Sequence, residues 1–184
     1  DAQLARRQQG YGRGDRMKIE TDRVEVLSGV RFGETLGSPI TLQVVNRDFA
    51  NWTERMDPFG DPAGPKVTAV RPGHADLTGV LKYDRDDARD ILERSSARET
   101  TMRVAVGAVC RQLLAAVGVT VASHVTEIGG VSVDRAAIRD EDIGVTNSSD
   151  MNCCDPAAET RMKAYINQAK ANGDTLGGIF EIVV

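Results

Sequence analysis

Aromatic side chains make up only 4% of this 184-residue chain. Surfaces that hold single-stranded nucleic acid place stacking rings among their basic residues. Only Tyr11 lies among the N-terminal arginines, so no base-stacking platform is expected. An excess of positive charge is also lacking. The formal net charge is −4 at pH 7, which argues against a general polyanion-binding surface. Histidine occurs twice and cysteine three times, too few for a disulfide framework or for metal-ligand spacing. Cys110 falls on an apolar helical stripe and reads as a small core residue. Cys153 and Cys154 are adjacent, and the acidic residues show no paired spacing, so no metal site is expected. A reducing, cytoplasmic compartment fits this cysteine usage. No apolar run has the length that spans a membrane, and no leader peptide is visible at the start. What is present is ordinary for a soluble domain with its own core: 41% hydrophobic and 27% charged residues.

Two short stretches carry the chemistry. Arg71-Pro72-Gly73-His74-Ala75-Asp76 sets a histidine beside Gly and Pro, a loop context. Glu93-Arg94-Ser95-Ser96-Ala97-Arg98-Glu99-Thr100 reads as a helix start. Ser96 and Glu99 have capping-box spacing, in which the serine accepts a backbone N–H and the glutamate reaches back. Met102, Val106, Val109, Cys110, Leu113, Leu114 and Val117 then mark one helical face. The first turn of a helix presents free N–H groups and partial positive charge. Arg94 and Arg98 flank it, so the stretch suits an anion or an electron-rich ring. The plainer alternative, a capped core helix with solvated arginines, has equal standing on pattern alone. Residues 1–23 hold six basic and four acidic side chains, an excess suited to a small anion.

The remaining pattern predicts an α+β chain, because strands come in a run before the helices. Residues 3–9 read as the last turns of a helix. Arg16–Glu20, Val24–Val30 and Pro39–Asn46 read as strands, with Ile40, Leu42 and Val44 on one face of the third. Asn46–Pro72 has no periodicity and four of the six prolines, and reads as a long surface loop. Asp84 is placed as the cap of a short helix ending at Leu92. Helix Ser96–Val117 is stopped by Gly118, and a strand spans Val119–Ile128. Asp155-Pro156 opens a last helix, with Met162, Tyr165, Ile166 and Ala169 on its buried face and Gly173 at its end. Gly178–Val184 is a final strand. Both ends fall inside elements, so the chain is expected to be a piece of a longer protein. His124 reads as structural. Asp86, Asp87, Asp90, Asp140, Glu141 and Asp142 read as solvated charge. Asp48, Asn51 and Trp52 either position the long loop or touch ligand.

Dense motifs point further. Arg6-Arg7, Gly10-Tyr11-Gly12-Arg13-Gly14 and Arg16-Met17-Lys18-Ile19-Glu20 open the chain. Val24–Val30, Thr35–Ile40, Asn46-Arg47-Asp48 and Asn51-Trp52 follow. Then come Arg71–Asp76, Glu93–Thr100 continued by Arg103–Ala108, Cys154-Asp155-Pro156 and Gly173–Gly178. Throughout its length the chain resembles the chorismate synthase family. That resemblance implies a layered β-α-β sandwich, of which residues 1–184 form a single partial domain. It implies loss of phosphate from 5-enolpyruvylshikimate-3-phosphate by anti 1,4-elimination, in the shikimate pathway. The implied cofactor is reduced FMN, with NADPH as a reductant, and the implied assembly is a homotetramer. Residue by residue, it implies that Arg7 and Arg13 bind substrate phosphate or NADP, and that Arg98 reaches the substrate. Arg94, Ser95 and Ser96 are implied to contact FMN, and His74 to sit beside the flavin ring as the catalytic histidine. The family's Gly-acid-Ser-His-Gly motif and its C-terminal half do not occur in the sequence. Two further readings stay open. One is an arginine-rich nucleotide- or RNA-binding module. The other is a structural fragment without activity, folded only within an oligomer.

Overall fold

The computed structural model describes residues 1–12, 21–143 and 149–184. The predicted strand at Arg16–Glu20 and the candidate Arg13 lie outside the described residues. The architecture is α+β, with helices joined to small antiparallel sheets. The chain divides into two compact units, one of Asp1 with Asp22–Val106 and one of Ala2–Thr21 with Gly107–Val184.

In the first unit, β1 (Val24–Ser28) pairs antiparallel with β4 (Thr41–Val44), placing Val26 opposite Leu42. Ile40, Leu42 and Val44 are more covered than Thr41 and Gln43, the predicted alternation. Between them, β2 (Val30–Arg31) and β3 (Glu34–Thr35) form a second small antiparallel pair. Gly29 joins β1 to β2 at φ +83°, and a Cβ there would lie 2.6 Å from the Pro39 carbonyl oxygen. Only glycine meets both demands.

The long connection after β4 is fastened to the unit. A 3-10 turn at Arg47–Asn51 is capped by the Asn46 side chain, which accepts the Asp48 N–H. The Asp48 carboxylate accepts Asn51 Nδ2 at 3.1 Å and Trp52 Nε1 at 2.9 Å. The Arg89 guanidinium lies 4.0 Å from the Trp52 ring, a cation–π contact. Asp48, Asn51 and Trp52 therefore hold one another.

Two helices follow where the sequence suggested one. Helix α2 spans Asp76–Tyr83 and α3 spans Arg89–Arg94. Asp84 does not open a helix. It closes α2 in the left-handed conformation, φ 49°, which an aspartate tolerates better than most side chains. Asp87 is not merely solvated either, for its carboxylate accepts the N–H groups of Val67 and Arg89 at 3.0 and 2.9 Å. It thereby ties the long connection to the start of α3.

Helices α2 and α3 approach closely at Gly79, where an added Cβ would clash with Ile91 Cγ2 and sit 3.0 Å from Cδ1. Ile91 is itself buried. Overpacking costs about 1–3 kcal/mol, and the helix propensity gained is about 1 kcal/mol. Gly79→Ala is expected to lower stability by roughly 1 kcal/mol, read as a lower urea midpoint. Gly107 lies in helix α4 (Ala97–Ala116) and meets nothing within 4 Å. Gly107→Ala is expected to raise the midpoint through propensity alone, by about 0.5–1 kcal/mol. Equal shifts in the two variants would refute the packing account.

The boundary between the units falls within α4, after Val106. Among its described side chains Thr101 and Ala105 are buried, and Met102, Val109 and Leu114 of the predicted stripe are half-buried. Val106, Cys110, Leu113 and Val117 are exposed, Leu113 and Val117 at 70%. The expectation that Cys110 is a core residue is thus corrected. The stripe has helical spacing, but among the described residues nothing covers these positions. Gly118, at φ +81°, ends the helix as predicted.

In the second unit, β5 (Ala122–Ile128) lies between β6 (Val131–Ser132) and β7 (Gly178–Val183), both antiparallel to it. After the short helix α5 (Asp140–Ile143), helix α6 (Pro156–Ala171) starts at Asp155, whose carboxylate accepts the N–H groups of Ala157 and Ala158. Its inner face places Ala158 and Met162 with Met151 and Cys153 in the core, against Val125, Ile128, Val131 and Ile166. Tyr165, expected on that face, is 47% exposed. The predicted structural role of His124 fits its setting. The ring is fully buried, and its Nε2 lies 2.8 Å from Glu181, its cross-strand partner on β7. That bond, with the nearby Arg135 guanidinium, holds the Glu181 carboxyl below the usual range. Helix α1 (Ala2–Gln8) buries Leu4, and Arg6 donates to Asn152 at 2.7 Å.

Candidate active site

The site is built around the Arg71–Asp76 loop of the first unit. Gly73 takes φ +67°, and the His74 N–H closes a turn on the Arg71 carbonyl at 3.3 Å. The chain then enters α2 at Asp76 with no side-chain cap on Ala75. A carboxylate in a first turn is favoured by the helix dipole.

Asp76 is completely buried, whereas His74 is 37% and Arg71 48% exposed. The carboxylate is saturated with donors. Oδ2 accepts the Arg71 backbone N–H at 2.9 Å and Nε at 2.8 Å. Oδ1 accepts Arg71 Nη2 at 2.8 Å and lies 3.0 Å from His74 Nδ1. Arg71 thus grips the carboxylate as a fork. It holds the Asp76 carboxyl far below the usual range, against the opposing effect of burial. His74 Nδ1 also lies 3.1 Å from Arg71 Nη2. The ring is therefore anchored through Nδ1, which leaves Nε2 as the nitrogen able to exchange a proton with a ligand.

The second predicted stretch lies in the same unit. Ser96 precedes α4, and its Oγ accepts the Arg98 N–H at 3.1 Å while its carbonyl accepts the Glu99 N–H. Half of the expected capping box is present. The reciprocal arm is not, because the Glu99 carboxylate pairs with Arg103 at 2.8–2.9 Å. An i,i+4 partner on the exposed helix surface takes it outward. The Ser95 hydroxyl donates to the Ile91 carbonyl, which leaves its oxygen able to accept. Arg94 is exposed, with its guanidinium 5.9 Å from the Tyr83 ring. Arg98 pairs with the buried Asp22 and donates to the Val45 carbonyl at 2.6 Å, so it also braces the sheet of its own unit. Arg7 lies in the last turn of α1, in the second unit.

Sequence reasoning singled out His74 but passed over the roles of Arg71 and Asp76. The available signal was an acid two residues beyond the histidine and an arginine three before it. Among the described residues no group of three or more His, Cys, Asp or Glu side chains is disposed to hold a metal.

Known proteins resemble this chain along its whole length. The chorismate synthase family profile matches residues 1–184. The chorismate synthase of Trichlorobacter lovleyi is 57% identical over 187 residues, covering 100% of this chain and 48% of that protein. That of Geobacter metallireducens is 55% identical, covering 98% of this chain and 47% of its own length. A crystal structure of chorismate synthase matches with a TM-score of 0.72 and 37% identity, over 98% of this chain and 47% of that one. The chain spans about half the length of the curated relatives it matches. Over that span, with the same fold, it belongs to the chorismate synthase family.

Proposed function

We propose that the protein carrying this chain is a phosphate lyase that converts 5-enolpyruvylshikimate-3-phosphate to chorismate and phosphate. The observation that best supports this is His74, a partly exposed imidazole whose Nδ1 is anchored on a buried carboxylate. An imidazole held at one edge can exchange a proton at the other nitrogen repeatedly without losing its orientation. The relatives' name supports the same reading.

The donor set fits a flavin mononucleotide. The Arg94 guanidinium, the Ser95 and Ser96 hydroxyl groups and the N-terminus of the 20-residue helix α4 suit a phosphorylated, electron-rich molecule. When bound, reduced FMN supplies electron density for an elimination that has no net redox change. NADPH is the proposed source of its reduction. His74 holds or moves a proton at Nε2. Arg7 and Arg13 supply fixed charge for the substrate phosphate, with NADP as their alternative ligand, and Arg98 extends towards the substrate while bracing α4. A cytoplasmic homotetramer is the proposed form. No described helix is long and apolar enough to cross a membrane. The acidic net charge and the scarcity of aromatics weigh against a nucleic-acid module.

The test is phosphate release from 5-enolpyruvylshikimate-3-phosphate by the complete protein, under anaerobic conditions with chemically reduced FMN. No release above background would remove this reading. Within it, Arg7→Lys and Arg13→Lys are each expected to raise KM for the substrate about tenfold, because lysine cannot reproduce a bidentate fork. A loss confined to NADPH use, with substrate KM unchanged, would assign these arginines to the nucleotide.

A further inference from the structure

We propose that Asp76 is a positioning residue that fixes the tautomer of His74, taking the Nδ1 proton into a buried hydrogen bond so that Nε2 faces the ligand as the proton-exchanging nitrogen. This rests on the reading of His74 as the proton carrier, and adds a residue that acts only through it.

The argument starts from the carboxylate. An ionised Asp offers about four lone-pair sites and no donor. Three of those around Asp76 are filled by Arg71, through its backbone N–H, Nε and Nη2. The fourth neighbour is His74 Nδ1, at 3.0 Å from Oδ1. Burial makes an unfilled acceptor costly, and a proton on Nδ1 fills it. The competing arrangement puts the proton on Nε2 and lets Arg71 Nη2, 3.1 Å away, donate to Nδ1. That leaves a buried anion facing an unprotonated nitrogen and one lone pair without a donor. The first arrangement is therefore favoured.

Arg71 serves a second purpose. It compensates the charge of Asp76, so the carboxylate stays ionised and does not compete for the proton. A proton delivered to the pair resides on the imidazole. Asp76 is wholly buried while His74 is 37% exposed, so only the imidazole can meet a ligand.

The decisive measurement is the nitrogen spectrum of the complete protein labelled with ¹⁵N-histidine, the His74 signals being assigned by their loss in His74→Ala. Wild type is expected to show the Nδ1–H tautomer for neutral His74. Finding Nε2–H in wild type overturns the proposal, and this arm needs no substitution of Asp76. In Asp76→Asn, the amide N–H facing Nδ1 turns it into an acceptor, and the signals are expected to move to Nε2–H. An unchanged tautomer there also overturns the proposal.

Kinetics supply an independent arm. Asp76→Asn is expected to lower kcat by about a hundredfold, as a wrong tautomer removes general acid–base catalysis, with substrate KM and FMN affinity within about twofold. The same substitution added to His74→Ala is expected to cost almost nothing more, since two residues acting as one unit do not add. A merely structural role for Asp76 would cost the same in both backgrounds, and that result overturns the proposal. A His74→Ala protein with normal turnover would sink the reading of His74 instead, while the nitrogen spectrum would still decide the tautomer.

Discussion

Replacing His74 with alanine in the complete protein is expected to cut turnover by a hundredfold or more while leaving FMN binding nearly intact. A positioned general acid–base group contributes on the order of 10²–10⁴ in rate. His74 is placed for that task by its loop. Gly73 turns the chain, Nδ1 meets the buried Asp76, and the side chain stays partly exposed. The substitution leaves the Arg71–Asp76 fork intact, because the fork uses the Arg71 backbone and guanidinium. The loop should therefore keep its shape, and the loss should appear in kcat. Steady-state phosphate release measures the rate, and quenching of flavin fluorescence measures the affinity. Turnover near that of wild type would take His74 out of the mechanism.

The largest stability effect is expected from Met162→Ala. Met162 is fully buried in the second unit, beside Ala158, Met151 and Cys153, with Val125, Ile128 and Val131 of the sheet region around it. Truncating a buried Met loses its transfer free energy and leaves a cavity, typically about 2–5 kcal/mol in all. About 3 kcal/mol is expected here, because neighbours on both strand and helix limit collapse into the space. Urea unfolding followed by circular dichroism would show a lower midpoint with a similar slope. Met162→Leu conserves most of the volume and is expected to cost less than about 1.5 kcal/mol. Equal losses for the two substitutions would mean that packing at this position is not what holds the unit together.

The contrast between those residues shows what kind of information each region carries. Met162 was legible because its spacing with Ile166 and Ala169 follows the helix period, and all three lie on the covered side of α6. Tyr165 shared that pattern and is nonetheless 47% exposed. Periodicity locates a face, but the edge of that face depends on how wide the neighbour is. Along α4 the pattern was equally regular, yet Cys110, Leu113 and Val117 are uncovered. Apolar spacing records a surface suited to burial. Whether a neighbour lies there is decided by other parts of the molecule.

The sequence by itself determined the local punctuation. Asp155 with Pro156, Ser96, Gly118 and Gly173 mark helix ends as expected, because capping and left-handed turns involve residues only a few positions apart. It also determined the α+β class and, through its motifs, the family. Only the tertiary structure decided the long-range partners. Arg98 meets Asp22, 76 positions away, and Val45, 53 away. His124 meets Glu181 across two strands. Helix α2, with Gly79 in its interior and no capping side chain, has weak local signals and packs against Ile91 of α3. Asp76 is the centre of the candidate site for the same reason. Its charge is readable in the sequence, but its burial exists only once Arg71, His74 and α2 close around it, because desolvation depends on everything packed nearby rather than on the residues adjacent in the chain.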